Sequence, residues 1–266
     1  MPRFAANLRY LFREVPFDDR FELAAKAGFK AVEYQYPYGK DAMTIRDRLA
    51  EFGLQFVLLN APPGNWDADE KGIAAIPGRE QEFRDSIAEA IYYATALSCP
   101  RIHVMSGVIG ENLAREAALA TFADNMQFAA DACQNAGLRV LVEALNAVDV
   151  PVYLLNHTVQ ARAAMAIINR PNVDLQYDLY HGGMSGEDVL EVVRENLDVI
   201  GHMQVAGVPG RREPDRGNLD FYPVFEALDE IGYQGWIGCE YTPENGTLEG
   251  LQWASVYGLG RPFHSV

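Results

Sequence analysis

Cysteine is scarce in this sequence: Cys99, Cys133 and Cys239 are the only three in 266 residues, and no two form a CxxC pair. An odd, dispersed set of this kind speaks against both a disulfide framework and a cysteine metal site. Basic side chains are also in deficit, with 22 Lys+Arg against 37 Asp+Glu and a formal net charge of −15. Nucleic-acid binders present a basic face, so a polyanionic partner is disfavoured, although a local basic pocket for a small anion stays open. No apolar run approaches the ~18 residues of a membrane span, and Met1-Pro-Arg-Phe-Ala-Ala-Asn opens without the apolar stretch of a leader. The expectation is a soluble cytoplasmic protein with neither nucleic acid nor membrane as partner. A GxGxxG turn is missing from the first strand region, which weakens a dinucleotide-binding reading. Finally, no Ser- or Pro-rich linker divides the chain.

What is present is a large apolar fraction, 49%, with 22% charged residues, enough for a substantial core. Apolar, β-rich runs occupy residues 4–8, 31–36, 54–60, 101–105, 139–145, 173–180, 199–206 and 235–241. Between them lie stretches of helical period. Phe83, Ile87, Ala90, Ile91, Ala94 and Leu97 recur at three and four, as do Phe122, Met126, Ala129 and Cys133, and Val189, Val193 and Leu197. Ile45, Leu49 and Phe52 mark a shorter helix. Strands separated by helices pair in parallel, because a parallel return needs a long crossover. One joint recurs: Ala27-Gly28-Phe29, Phe52-Gly53-Leu54, Ala136-Gly137-Leu138 and Ile231-Gly232-Tyr233 each put Gly after an apolar helix end. Repetition of one joint, with eight β/α units in this length, predicts a single (β/α)8 TIM barrel of the α/β class over residues 1–266, with 258–266 a loose tail. Insertions at 62–80, which include Trp66, and at 207–215 follow the third and seventh strands, where the active face of such a barrel is built.

Four polar residues end otherwise apolar strands: Glu143, Asp178, Gln204 and Glu240, separated by 35, 26 and 36 residues. Each gap is about one β/α unit, so strands five to eight carry them to one level at one mouth. Three buried carboxylates repel one another unless a cation intervenes, and oxygen donors favour a hard divalent ion, Mg²⁺ or Mn²⁺. The plainer alternative is four unrelated polar strand caps. His181 follows Asp178 by three, in the adjoining loop, where it would donate to a substrate oxygen or serve only a structural hydrogen bond. Arg211 or Arg212 would meet a substrate carboxylate, or lie as solvated surface. His103 and His202, inside apolar strands, read as core histidines; by period two His202 shares the Gln204 face one layer deeper. Glu33 ends the second strand and reads as a structural carboxylate paired with a loop group rather than as part of the mouth.

The segments Pro2-Arg-Phe-Ala-Ala-Asn-Leu, Pro77-Gly-Arg-Glu, Val142-Glu-Ala-Leu, Gln176-Tyr-Asp-Leu-Tyr-His, Gln204-Val-Ala-Gly-Val-Pro-Gly-Arg and Gly235-Trp-Ile-Gly-Cys-Glu-Tyr run from residue 2 to 241. Together they resemble the hydroxypyruvate isomerase family, within the wider xylose-isomerase-like barrels. The resemblance implies that Glu143, Asp178, Gln204 and Glu240 hold the metal. It also implies that Glu143 and Glu240 are the acid/base pair, and that hydroxypyruvate and 2-hydroxy-3-oxopropanoate (tartronate semialdehyde) are interconverted. Related sugar isomerases and epimerases use a histidine at the His181 spacing for substrate contact. The residues fit that chemistry independently. Moving a proton between adjacent carbons through an enediolate needs a base, an acid and positive charge beside the oxygens. A small 2-oxo acid or sugar acid is the expected partner, with oligomeric state left open and a homo-oligomer as one option. Departures from the family pattern occur at Arg9-Tyr10, where Arg9 stands at the top of strand one near the pocket, at His181-Gly-Gly-Met-Ser-Gly, and at Asn156-His-Thr. They bear on the substrate, and leave isomerisation of a four-carbon 2-oxo-tetronate or ketose 3-epimerisation as enzymatic alternatives. A sugar-acid binding protein without turnover is the non-enzymatic one. A zinc nuclease for abasic DNA on the same barrel would need more than the five histidines present.

Overall fold

The apolar runs form nine short strands: β1 (Phe4–Asn7), β2 (Ala31–Glu33), β3 (Gln55–Phe56), β4 (Leu59–Asn60), β5 (Arg101–His103), β6 (Arg139–Glu143), β7 (Val173–Asp178), β8 (Ile200–Val205) and β9 (Ile237–Cys239). The computed structural model describes residues 1–65, 68, 70–110 and 112–260. All pairings between these strands are parallel, in the order β3-β2-β1-β9-β8-β7-β6-β5-β4. Between them run α1 (Arg20–Lys26), α2 (Ala42–Phe52), α3 (Glu80–Ala96), α4 (Arg115–Asn135), α5 (Thr158–Ile168), α6 (Leu179–Met184), α7 (Val189–Asn196) and α8 (Tyr222–Ile231), with a 3-10 segment at Glu249–Tyr257.

The run 54–60, expected as one strand, is broken into β3 and β4. β3 pairs with β2, whereas β4 pairs with β5. The backbone between them stays attached to the second strand: Val57 N–H donates to Val32 O at 2.9 Å, and Asn60 N–H donates to Gln35 O at 2.9 Å. One strand thus hands its pairing from one neighbour to the other, and through it the two ends of the sheet meet in a barrel. The run 173–180 is also shorter than expected. Asp178 ends β7 by capping α6, its carboxylate accepting the Tyr180 N–H at 2.9 Å, so Leu179 and Tyr180 are helical.

The helical stripes face inward as their spacing requires. Phe83, Ile87, Ala90 and Ala94 of α3, Phe122, Met126, Ala129 and Cys133 of α4, and Val189 and Val193 of α7 are buried. Each large apolar side chain so covered contributes roughly 1.5–3 kcal/mol relative to exposure. At the Gly joints, Gly53 (φ 63°) and Gly232 (φ 77°) take the left-handed conformation that closes a helix. The next residue's N–H then reaches back across the last turn, Leu54 to Leu49 O and Tyr233 to Leu228 O, both at 2.9 Å. Under the barrel, Phe4 meets Phe225 and Trp253 edge-on with centroids 5.3 and 5.2 Å apart. In the segment expected as a loose tail, Leu259 is buried and Gly260 N–H donates to Ala27 O at 2.9 Å. Residues 261–266, and Trp66 with Asp67 and Asp69 of the first insertion, lie outside the described residues.

Candidate active site

The C-terminal ends of the strands open on a cavity of about 260 Å³. Glu143 is the last residue of β6, Asp178 the last of β7, Gln204 the penultimate of β8, and Glu240 follows β9 directly. In strand register they are staggered: Asp178 lies opposite Gln204, but Glu143 lies opposite Gln176, and Gln204 opposite Gly238. Strand tilt in a barrel offsets a stagger between neighbouring strands. All four side chains are buried.

Arg211, from the loop after β8, reaches into this acid cluster. Its Nη2 donates to Glu240 Oε1 at 2.5 Å and to Asp178 Oδ2 at 3.2 Å. The Tyr180 and Tyr10 rings flank the guanidinium at 4.9 and 5.4 Å. The Arg211 backbone is left-handed, φ 53°, in a turn pinned by the Gly207–Arg212 bridge. That non-glycine strain is spent on aiming the side chain inward. Arg212, by contrast, is exposed and donates to Thr242 O at 3.3 Å. Arg9 lines the cavity as expected, its guanidinium 5.2 Å from the Tyr36 ring.

Glu33 is more than a paired loop carboxylate. Buried under the cluster, it meets His202 Nε2 at 2.6 Å and accepts from Gln204 Nε2 and Asn7 Nδ2, both at 2.8 Å. Its partners come from strands, not a loop. Gly238 makes room for it, since a Cβ there would lie 2.2 Å from Glu33 Oε1. Gln204 also donates to Glu240 Oε2 and accepts from Gln176 Nε2 at 2.8 Å. His202 occupies the deeper layer on the Gln204 face.

His181 sits in the first turn of α6 rather than in a loop. Its Nδ1 accepts the Asn146 backbone N–H at 3.2 Å, which leaves the proton on Nε2, 3.8 Å from Asp178 Oδ2. Asn146 and the Tyr180 hydroxyl both donate to Asp149, at 3.1 and 2.8 Å, and so steady that loop. His103, read from sequence as a core residue, lines the cavity, its Nε2 3.4 Å from Glu143 Oε2.

Burial raises the pKa values of Glu143, Asp178 and Glu240. Glu240 is pushed up to about 8 by desolvation, with Arg211 opposing, and Asp178 to about 6 for the same reasons. Glu143 is pushed well above its usual value by burial, then by Asp178 and Glu240. Burial, then the Arg211 charge, holds His181 far below its ordinary value. In this centre four acids, Glu33, Glu143, Asp178 and Glu240, cluster about Arg211, with Arg9 and Lys71 also lining the cavity. Glu143, Asp178 and His181 offer three ligand atoms within 4.8 Å of one another. The charge excess and the donor set fit a divalent cation. With Nδ1 accepting, His181 suits donation to a substrate; Gln204 would present its oxygen only after a half-turn of its amide.

Sequence reasoning passed over Lys71, which lines the cavity from the first insertion, and Gln35, Asn60 and Gln176. Asn60 carried a readable signal, a polar residue closing an apolar run like Glu143. Lys71 carried none beyond its place in that insertion.

The sequence matches the xylose isomerase-like TIM barrel family over residues 21–256. It is 45% identical to the 2-oxo-tetronate isomerase of Cupriavidus necator, covering 98% of this chain and 100% of that protein. It is 38% identical to the hydroxypyruvate isomerase of Escherichia coli, covering 97% and 100%. A solved structure titled AP endonuclease, family 2, from Brucella melitensis superposes with a TM-score of 0.94 at 47% identity, over 97% of this chain and 99% of that one.

Proposed function

The chain belongs to the xylose isomerase-like TIM barrel family, within its hydroxypyruvate isomerase group, and from that premise we propose that it is an aldose–ketose isomerase of a short 2-oxo acid. The observation that carries this reading is the convergence of Glu143, Glu240, Gln204 and His181 on one cavity that also receives Arg211 and Arg9, with Asp178 buried beside Glu143 and His181 and bonded to Arg211. Interconversion of hydroxypyruvate and 2-hydroxy-3-oxopropanoate removes a proton from C3, returns one to C2, and moves the hydroxyl proton from O3 to O2. Glu143 and Glu240 would take and give the carbon-bound proton, burial holding both carboxyls above the usual carboxylate range. His181 donates from Nε2 to a substrate oxygen, and Arg211 and Arg9 offset the substrate carboxylate. Glu143, Asp178, Gln204 and Glu240 would hold a divalent ion, Mg²⁺ or Mn²⁺, which would supply positive charge to stabilise the enediolate.

A second reading, isomerisation of a 2-oxo-tetronate, is favoured by the name that three relatives at 45%, 43% and 41% identity carry. A nuclease on abasic DNA finds little support, with three buried histidines, His103, His181 and His202, at the centre among the described residues and a net charge of −15. The test is a coupled assay over three- to six-carbon 2-oxo acids and ketoses, with and without EDTA. Chelator-sensitive isomerisation of a 2-oxo acid is expected. Epimerisation of neutral ketoses with no turnover of 2-oxo acids would replace this reading, and specific binding of sugar acids without any turnover would leave only a binding protein.

A further inference from the structure

The cavity has two unlike walls. The acids and Arg211 come from β6 to β9 and the loops beyond them; the remaining wall is built by Gln35, just past β2, Asn60, at the end of β4, and His103, at the end of β5. Asn60 and His103 are register partners and therefore neighbours. All three are buried, with His103 only 1% exposed. Yet Gln35 Oε1, Asn60 Oδ1 and both ring nitrogens of His103 make no hydrogen bond among the described residues, His103 Nε2 standing 3.4 Å from Glu143 Oε2. Buried polar atoms are paired in nearly every folded protein, so a run of unpaired ones along a cavity wall marks a surface completed by a ligand.

The orientation of the wall says what that ligand offers. Gln35 Nε2 donates to Glu240 Oε2 at 2.8 Å, and a carboxylate oxygen can only accept, so Gln35 turns its oxygen away from Glu240. Asn60 Nδ2 lies 3.5 Å from the Tyr36 hydroxyl, which leaves Oδ1 open. Two amide oxygens and an imidazole make a neutral wall that is rich in acceptors. It repels a carboxylate and suits a hydroxyl, which donates to an amide oxygen and exchanges a second bond with the imidazole.

We propose that Gln35, Asn60 and His103 form a hydroxyl subsite that takes the terminal hydroxymethyl group of a four-carbon 2-oxo acid and sets the preference for it over a three-carbon one. This rests on the isomerase reading and deepens it. In a 2-oxo-tetronate the reacting carbons are C2 and C3, the carboxylate hangs from C2, and the hydroxymethyl group extends from C3. Hydroxypyruvate ends at its reacting C3 and leaves the wall unpaired. A site built to bond a hydroxyl discriminates against the analogue lacking it, because its own polar atoms are then stranded.

The test compares kcat/KM for 2-oxo-tetronate and hydroxypyruvate in the Mn²⁺-saturated wild type and in Asn60→Leu and Asn60→Ala, the second adding no bulk. The wild type should prefer the four-carbon acid by at least tenfold, and either variant should shift the ratio toward hydroxypyruvate by roughly ten- to a hundredfold. A wild-type preference for hydroxypyruvate overturns the proposal, as does an unchanged ratio. Equal losses on both acids would mean that the wall holds the carboxylate they share. A second readout needs no turnover: threonate should raise the melting temperature of the wild type more than glycerate does, and Asn60→Ala should erase the difference. If neither acid is turned over but threonate is still distinguished, the subsite stands and the isomerase reading falls. Without that distinction the subsite falls, whatever the turnover.

Discussion

Glu143 and Glu240 do two things at once if they both hold an ion and carry a proton, and substitution separates the roles. Glu143→Gln and Glu240→Gln keep size and one ligand oxygen but remove the proton acceptor. At saturating Mn²⁺, either change should lower kcat by about 10²–10⁴, with metal occupancy measured in the same samples. Full rate in both at full occupancy would reduce the pair to ligands. The same carboxyls give the metal-free protein a pH dependence of unusual sign. Glu240 rises from 4.5 to about 8 and Asp178 from 3.8 to about 6, and Glu143 also rises, so the folded state binds more protons than the unfolded state between these values. Their contribution is fully present below pH 4 and is lost as pH climbs through 8. In EDTA the melting temperature should therefore fall between about pH 7 and 8, above the range in which the depressed His103 and His181 pull the other way; Mn²⁺ at pH 8 should restore stability, by about 2.7 kcal/mol at a hundredfold excess over Kd. Stability rising across that range in EDTA would contradict the burial of these acids. At this scale the sequence was informative where a polar residue interrupts an apolar run. Glu143, Asp178, Gln204 and Glu240 are such interruptions; Lys71 sits in a polar loop, where one lysine looks like any other.

Among the elements, the helix-to-strand joints and β9 show two different demands for glycine. Gly53 and Gly232 are left-handed, and a Cβ at either would meet nothing within 4 Å. Gly232→Ala should cost about 1–2 kcal/mol, read as a lower urea midpoint at unchanged m, and leave kcat as it is. Gly238 has ordinary strand geometry, but a Cβ there would strike the Glu33 carboxylate. Gly238→Ala should push Glu33 off His202 and Gln204, costing roughly 2–4 kcal/mol and weakening metal binding as well. Equal behaviour of the two variants in a metal titration would deny Glu33 its part in holding Gln204. The repeated Gly joint was legible because it is a local backbone requirement. The break of the third strand and the early end of β7 were not: one follows from pairing with two different neighbours, the other from a carboxylate that caps a helix and also serves the site.

Over the whole molecule, the three cysteines test the core. Burial pushes the Cys99 and Cys133 thiols up to about 12, and Cys239 well above its usual value. At pH 8 the native protein should give no rapid reaction with a thiol reagent, and three equivalents in 6 M guanidinium. Rapid native reactivity would mean that a helix or strand is not packed as described. By itself the sequence determined the class of fold and marked four polar strand ends, Glu143, Asp178, Gln204 and Glu240, because hydrophobic period, glycine joints and polar strand ends are written locally, one β/α unit at a time. Only the tertiary structure decided what those side chains face. Arg211 lies among the acids, Glu33 lies beneath them, and Gln35, Asn60 and His103 line the same cavity because the barrel pairs β4 with β5 and brings Gln35 Nε2 within 2.8 Å of Glu240 Oε2. Contacts between chain positions that distant depend on register, tilt and closure, which no local pattern encodes.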